Sequence, residues 1–308
     1  MPVSERQFLR WTSRSVSSWP FQVYQKYNAE LSQMFISQQV AQEYVYRELS
    51  KSGTRWQDHP TTKFPFSFEN GMYSENFKTI KLWSDYYGKF ENWNNLNTLV
   101  AMSSNLETFM SSVIKLALES DLGILSGASR RIDGILLLKY GRDNPFNFDD
   151  ELISCTRGDW QSRISSFIKI FGEAPDDLEN CISILEKVRK IRNNVGHAFG
   201  RDIEKSREHD NVHILEIDRL SRESIIDLMK VHNRIAKSID RQLMENNIGE
   251  YQALHFYHNN RDDFHADTSN PQRLGMHIVE LKKKIGSYSG NAVGKLFCKG
   301  LIEYYINL

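Results

Sequence analysis

The chain has 308 residues, 40% hydrophobic and 25% charged, with 39 basic and 39 acidic side chains. That length and composition describe a folded chain with one large or two ordinary cores. Zero formal charge argues against a protein that grips duplex DNA by overall phosphate neutralisation, so any nucleic-acid contact must come from a local patch. Cys155, Cys181 and Cys298 lie far apart with no Cys-x-x-Cys pair, which argues against a disulfide framework and a structural zinc site. The polar start MPVSERQFLRW and the lack of an apolar run of about 18 residues predict a cytoplasmic chain with no signal peptide and no membrane span.

Apolar residues recur at i, i+3, i+4 and i+7 through most of the chain, which predicts an all-α fold. Residues 27–49 carry this period, through Leu31, Met34, Phe35, Val40, Tyr44 and Val45. The prolines, glycines and aromatics of 52–71 then break it, predicting a loop with room for a short strand. Residues 1–75 are expected to form an N-terminal accessory region. The longest pattern, 91–120, has a wide apolar face from Leu96 to Leu116 and ends at Asp121-Leu122-Gly123. A shorter helix is expected over 129–140, a loop over 141–148, and a helix over 157–171 stopped by Gly172. Asp176 or Asp177 caps the next helix, which runs to Gly200. Residues 211–217 suit an extended segment. A helix opened by Ser221 and Ser224 ends near Gly249. The expected organisation is an antiparallel helical bundle over 90–250 with a C-terminal helical hairpin over 271–308.

The stretch KIRNNVGHAFGRD, 190–202, stands out. If its helix persists, Asn193, His197 and Arg201 fall at i, i+4 and i+8 and share a face. Gly196 leaves room beside His197 for a phosphate, a base or a second helix. Arg192 supplies a fixed cation, His197 a group that titrates near neutral pH, and Asn193 and Asn194 supply amide donors. Those groups suffice to cleave RNA without a metal or other cofactor. A histidine moves the proton of the ribose 2′-hydroxyl or of the leaving oxygen, and an arginine holds the charged phosphoryl oxygens. The bland alternative is that His197 simply ends a helix, where the macrodipole favours it.

The segment Arg192-Asn193-Asn194-Val195-Gly196-His197 resembles the Arg-x4-His signature of the HEPN family. The surroundings are similar as well: a long first helix with Glu107 in an apolar run, a helix ending in IKIFG, the motif helix, and a closing helix ending in IAKSIDRQLM. The resemblance covers roughly 90–250 and is to HEPN domains of bacterial abortive-infection and antiphage proteins. It implies an all-α homodimer with a composite RNA site, toxin-like or antiphage, cleaving RNA to a 2′,3′-cyclic phosphate. Carried over by position, Arg192 stabilises phosphoryl charge, His197 is the general acid or base, and Asn193 orients one or the other. Glu107 is an orienting carboxylate or a solvated one, and Arg201 contacts RNA or is a solvated loop residue. An antitoxin or a phage-derived trigger are the further partners implied. Some family members only bind nucleotides or bridge partner proteins.

Four other signals compete. GSYSGNAVGK, 286–295, lacks the spacing and the Ser/Thr of a phosphate-binding loop. The 271–308 tail with Lys282, Lys283, Lys284, Lys295 and Lys299 reads as a packed hairpin, or as a DNA-binding helix-turn-helix. His255, His258, His265, Asp262 and Asp263 read as a polar surface loop more readily than as metal ligands. The aromatics Trp11, Trp19, Phe21, Tyr24 and Tyr27 pack a helix or stack on bases.

Overall fold

A computed structural model describes residues 7–15, 17–64, 77–141, 147–210, 212–264 and 270–308. Among these residues every regular element is a helix, and a lone antiparallel bridge joins Asp121 to Asp133. The all-α class follows. No helix among them is long and apolar enough to cross a membrane.

Helix α1 (Trp19–Lys51) begins well before Tyr27. Ser18 sets the start by accepting the Phe21 amide on its Oγ at 3.1 Å. Pro20 is tolerated because amides in a first turn have no helical acceptor to lose. Of the apolar face expected along α1, Phe35 is buried and Leu31 partly so, while Met34, Val40 and Tyr44 are exposed. Residues 52–64 form turns and a short 3-10 turn, Pro60–Thr62, with no strand, and 65–71 lie outside the described residues. Helix α2 (Ile80–Ser120) begins before Glu91, with Thr79 Oγ1 accepting the Leu82 amide at 3.2 Å. Its first turns are rich in aromatics and hold Gly88, types of weak helix propensity that hide the start.

Helix α3 (Gly134–Tyr140) is capped by Asp133. Helix α4 (Asp149–Thr156) is absent from the expected pattern. Asp149, Asp150 and Glu151 in its first turn suit the positive end of the helix dipole. Helix α5 (Trp160–Phe171) is capped by Asp159 and stopped at Gly172 (φ +87°). The one helix expected up to Gly200 is two pieces: a turn Asp176–Glu179 behind Pro175, then α6 (Ile182–Ala198). Helix α7 (Arg222–Leu243) runs into a π turn, Met244–Ile248. Helix α8 (Tyr251–Asn260) corrects the surface-loop reading of 255–265, because Leu254, Phe256 and Tyr257 are buried. His265 lies outside the described residues. Helices α9 (Pro271–Ser289) and α10 (Lys295–Asn307) pack on each other through a turn at Gly290 (φ +70°).

The contacts divide the chain into two units. Unit 1 comprises Met1–Gln25, Leu106–Ser183 and Asn233–Leu308. Its interior includes Leu106, Val113 and Leu118 of α2, Phe167 of α5, Ile239 of α7 and Leu301 of α10. A buried guanidinium stitches it together. Arg10 Nε donates to Asp133 at 2.8 Å, and its other nitrogens donate to the Ile248 carbonyl and to Ser120 Oγ at 2.8 and 2.9 Å. Tyr304 donates to the same Asp133 at 2.6 Å. The N-terminal aromatics serve packing here. Trp11 lies under Arg10, Trp19 meets Phe256 edge-on, and Phe21 and Tyr24 pack on Phe109.

Unit 2 comprises Lys26–Asn105 and Ile184–His232. Segments of α1, α2, α6 and α7 close around Phe35, Leu99, Met102, Val188 and Ile225. Arg222 ties three of them, donating to Glu91 at 2.8 Å and to Gln42 at 2.9 Å. Residues 212–220 form no strand. Side-chain amides of α2 hold them instead: Asn92 donates to the Asp218 carbonyl at 2.8 Å and accepts the Leu220 amide at 2.9 Å.

Candidate functional site

The stretch 190–202 is the C-terminal end of α6 and belongs to unit 2. Helical geometry stops at Ala198. Phe199 and Gly200 both take left-handed backbone (φ +53° and +77°), and the Gly200 amide reaches back to the Asn194 carbonyl at 2.9 Å. Gly200 has a packing reason as well, since a Cβ there would meet Ile217 at 2.8 Å and Leu96 at 3.1 Å. Phe199 has no such excuse. A bulky residue in this conformation costs about 1–2 kcal/mol, where Gly or Asn would be cheap.

This ending moves one expected residue. Arg201 is not at i+8 of a continuing helix. Its Nε donates to the Leu215 carbonyl at 3.0 Å, and its guanidinium lies over the Phe199 ring at 5.2 Å. Asn194 donates to Asp218 Oδ2 at 3.0 Å, so its amide secures the 212–220 segment. Asn193 and Arg192 are half-buried on the preceding turn. His197 is exposed and makes no hydrogen bond or ion pair with any described residue. Space beside it is open, because a Cβ built on Gly196 meets nothing within 4 Å. At 100° per residue, Asn193 and His197 point within about 40° of each other, whereas Arg192 points about 140° from His197.

Glu107 belongs to unit 1. There it accepts from Arg163 at 3.0 Å, a guanidinium almost wholly buried against the Trp160 ring. A groove of about 1190 Å³ opens in unit 2, with Lys89, Asn92, Asn95, Arg201, Arg219 and Arg222 among its walls. Arg192 and His197 do not line it. Among the described residues no group of three or more His, Cys, Asp or Glu side chains converges as a metal site would require. His255 and His258 ride on α8, and burial lowers the pKa of both. In the tail, Lys284 pairs with Asp263 at 3.1 Å and Lys299 with Glu303 at 3.6 Å.

Sequence reasoning missed one feature beside the motif. Trp83, Tyr87, Phe90 and Trp93 on α2 stack in succession, and Phe199 continues the series. The signal was available as aromatics at i, i+4, i+7 and i+10, a single helix face.

Comparison with family models, curated proteins and solved structures finds no match.

Proposed function

We propose that this chain is a HEPN-type, metal-independent endoribonuclease working from the end of α6. The observation that carries the reading is His197: an exposed imidazole without a partner among the described residues, in the last turn of a helix, beside the open space at Gly196. A histidine kept only to end a helix has no need of that adjoining space. In the reaction, the 2′-oxygen attacks the adjacent phosphorus, the O2′–P bond forms and the P–O5′ bond breaks. The products are a 2′,3′-cyclic phosphate and a 5′-hydroxyl. His197 carries the proton to or from one of these oxygens. Arg192 offsets the charge gathering on the phosphoryl oxygens, and Asn193, on the same face as His197, orients the phosphate.

Arg192 and His197 diverge on one helix, which supports a composite site in which a second copy supplies the missing half. The proposed assembly is therefore a homodimer. A toxin-like or antiphage role fits an activity that must be restrained by an antitoxin or released by a phage-derived trigger. The test is induced expression of wild type and His197→Ala, with and without phage infection, followed by total RNA on a gel. Growth arrest with a discrete RNA break in wild type alone supports the reading. Equal growth and intact RNA for both, even during infection, refutes it.

A second reading draws on the groove in unit 2. Its arginines and amides, Arg201, Arg222, Asn92 and Asn95, suit a bound nucleotide in a non-catalytic sensor. Loss of function on Arg201→Ala with none on His197→Ala would favour it.

A further inference from the structure

We propose that Trp83, Tyr87, Phe90, Trp93 and Phe199 form a stacking track for unpaired RNA that leads to His197; this rests on the ribonuclease reading. The rings follow one another at centroid distances of 4.9, 6.4, 6.1 and 6.2 Å, with interplanar angles of 18°, 18°, 24° and 30°. Four of them lie on one face of α2, along about 15 Å of helix axis. The inner end is packed, since Tyr46 and Phe64 lie against Trp83. The outer end is not: Phe90 is 47% and Phe199 54% exposed. Phe199 holds its place despite a left-handed backbone that Asn would adopt more cheaply. It stands two residues after His197.

The charges along the track identify the occupant. Lys89 lies over the Tyr86 ring at 4.5 Å, and Arg201 over Phe199 at 5.2 Å. Neither forms an ion pair with a described carboxylate. Of the nearby acids, Asp85 pairs with Lys81 and Glu91 with Arg222, while Glu216 and Glu223 stand exposed in the wall of the unit 2 groove. Ring surface left exposed at Phe90 and Phe199, beside cations that form no ion pair with a described residue, calls for a ligand that carries planar rings on an anionic backbone. An unpaired polynucleotide is that ligand, because every base has a π face to offer and every linkage a charge. A duplex hides its base faces, so the track discriminates against it. An acidic peptide would meet the cations but has no series of planar rings for the faces.

The test uses the full chain. Anisotropy is measured with a labelled, unstructured 12-nucleotide RNA, with the same RNA annealed to its complement, and with an acidic peptide. The protein carries His197→Ala so that the RNA stays whole. Phe90→Leu with Phe199→Asn removes the exposed rings, Asn being at ease in the left-handed position, and circular dichroism verifies folding. Cleavage of a dinucleotide is followed in wild type. The expected result is single-strand binding that weakens by at least about tenfold in the ring variant, weaker duplex binding, and dinucleotide cleavage by wild type. Dinucleotide cleavage by wild type together with ring-independent binding overturns the track and leaves the ribonuclease reading standing. Ring-dependent single-strand binding without any cleavage overturns the ribonuclease reading and leaves the track. Preference for the peptide or the duplex overturns the track.

Discussion

Unit 1 and the end of α6 in unit 2 treat polar groups in opposite ways. In unit 1, Arg10 and Arg163 are buried and each meets a carboxylate, Asp133 or Glu107, together with backbone carbonyls. Such pairs hold a fold in register and cannot be opened without leaving a charge in a dry interior. At the end of α6, His197 is exposed without a described partner, and Arg201, like Lys89 on α2, lacks a described carboxylate. Phe199 accepts backbone strain. The difference teaches where to look for chemistry. Polar groups that are satisfied internally account for structure, and those left available beside open space account for function.

The comparison predicts a graded set of mutational effects. Arg10→Ala leaves Asp133 buried without its cation and should cost about 3–5 kcal/mol. A thermal melt should fall by on the order of 10 °C, and a shift under about 2 °C would show that the buried pair contributes little. Glu107→Ala leaves the buried Arg163 without its carboxylate, more mildly because that guanidinium keeps the Gly158 carbonyl and the Trp160 ring. A loss of about 1–3 kcal/mol is expected in urea unfolding. His197→Ala should leave stability within about 0.5–1 kcal/mol while lowering RNA cleavage by about a hundredfold or more. If both properties fell together, His197 would belong with the structural residues. The smallest effect is Gly196→Ala. An exposed helical glycine with open space gains about 0.5–1 kcal/mol on replacement by alanine. The new methyl sits where a phosphate should approach, so a slightly higher melting temperature with slower cleavage is the expected pair of results.

Two buried carboxyls of unit 1 carry one part of the pH dependence of stability. Burial pushes the Glu250 carboxyl up to about 7 and Asp240 up to about 6, although hydrogen bonds from Arg14 and Ser18 favour their ionised forms. Both folded values lie above the unfolded ones, so the native state binds more protons between about pH 4 and 7. Their contribution is present at low pH and is lost as pH rises through the folded values. Relative to wild type, Glu250→Gln with Asp240→Asn should therefore gain in urea midpoint from pH 5 to pH 8, while His232, His255 and His258, whose pKa values burial lowers, work the other way in both proteins. No such gain in that double variant would contradict the assignment.

How legible all this was in the sequence depended on the kind of signal. The helices of amphipathic period were legible: the apolar core of α2, the α5 stop at Gly172, and the α9–α10 tail. Starts were lost where aromatics replaced aliphatics, as at Trp19 and Ile80. Helix α8 was lost because its histidines and asparagines disguised a face carried by Leu254, Phe256 and Tyr257. Within the candidate site, the row of residues 192–197 could be read directly from spacing. The break at Phe199 could not, because a phenylalanine gives no warning of left-handed backbone, and so spacing alone leaves Arg201 either on a continued helix face or in a loop. The partner of Glu107 was equally hidden, since Arg163 lies 56 residues away. The ring series on α2 was visible as a spacing, but its continuation through Phe199 needed the fold.

The most direct test of the central claim uses purified full-length protein, EDTA and a panel of labelled RNAs, with products resolved by end chemistry. Wild type should yield 2′,3′-cyclic phosphate ends at discrete positions, and His197→Ala should yield none. RNA left whole by wild type, or cut equally by His197→Ala, would contradict the account and return His197 to the role of a helix terminus.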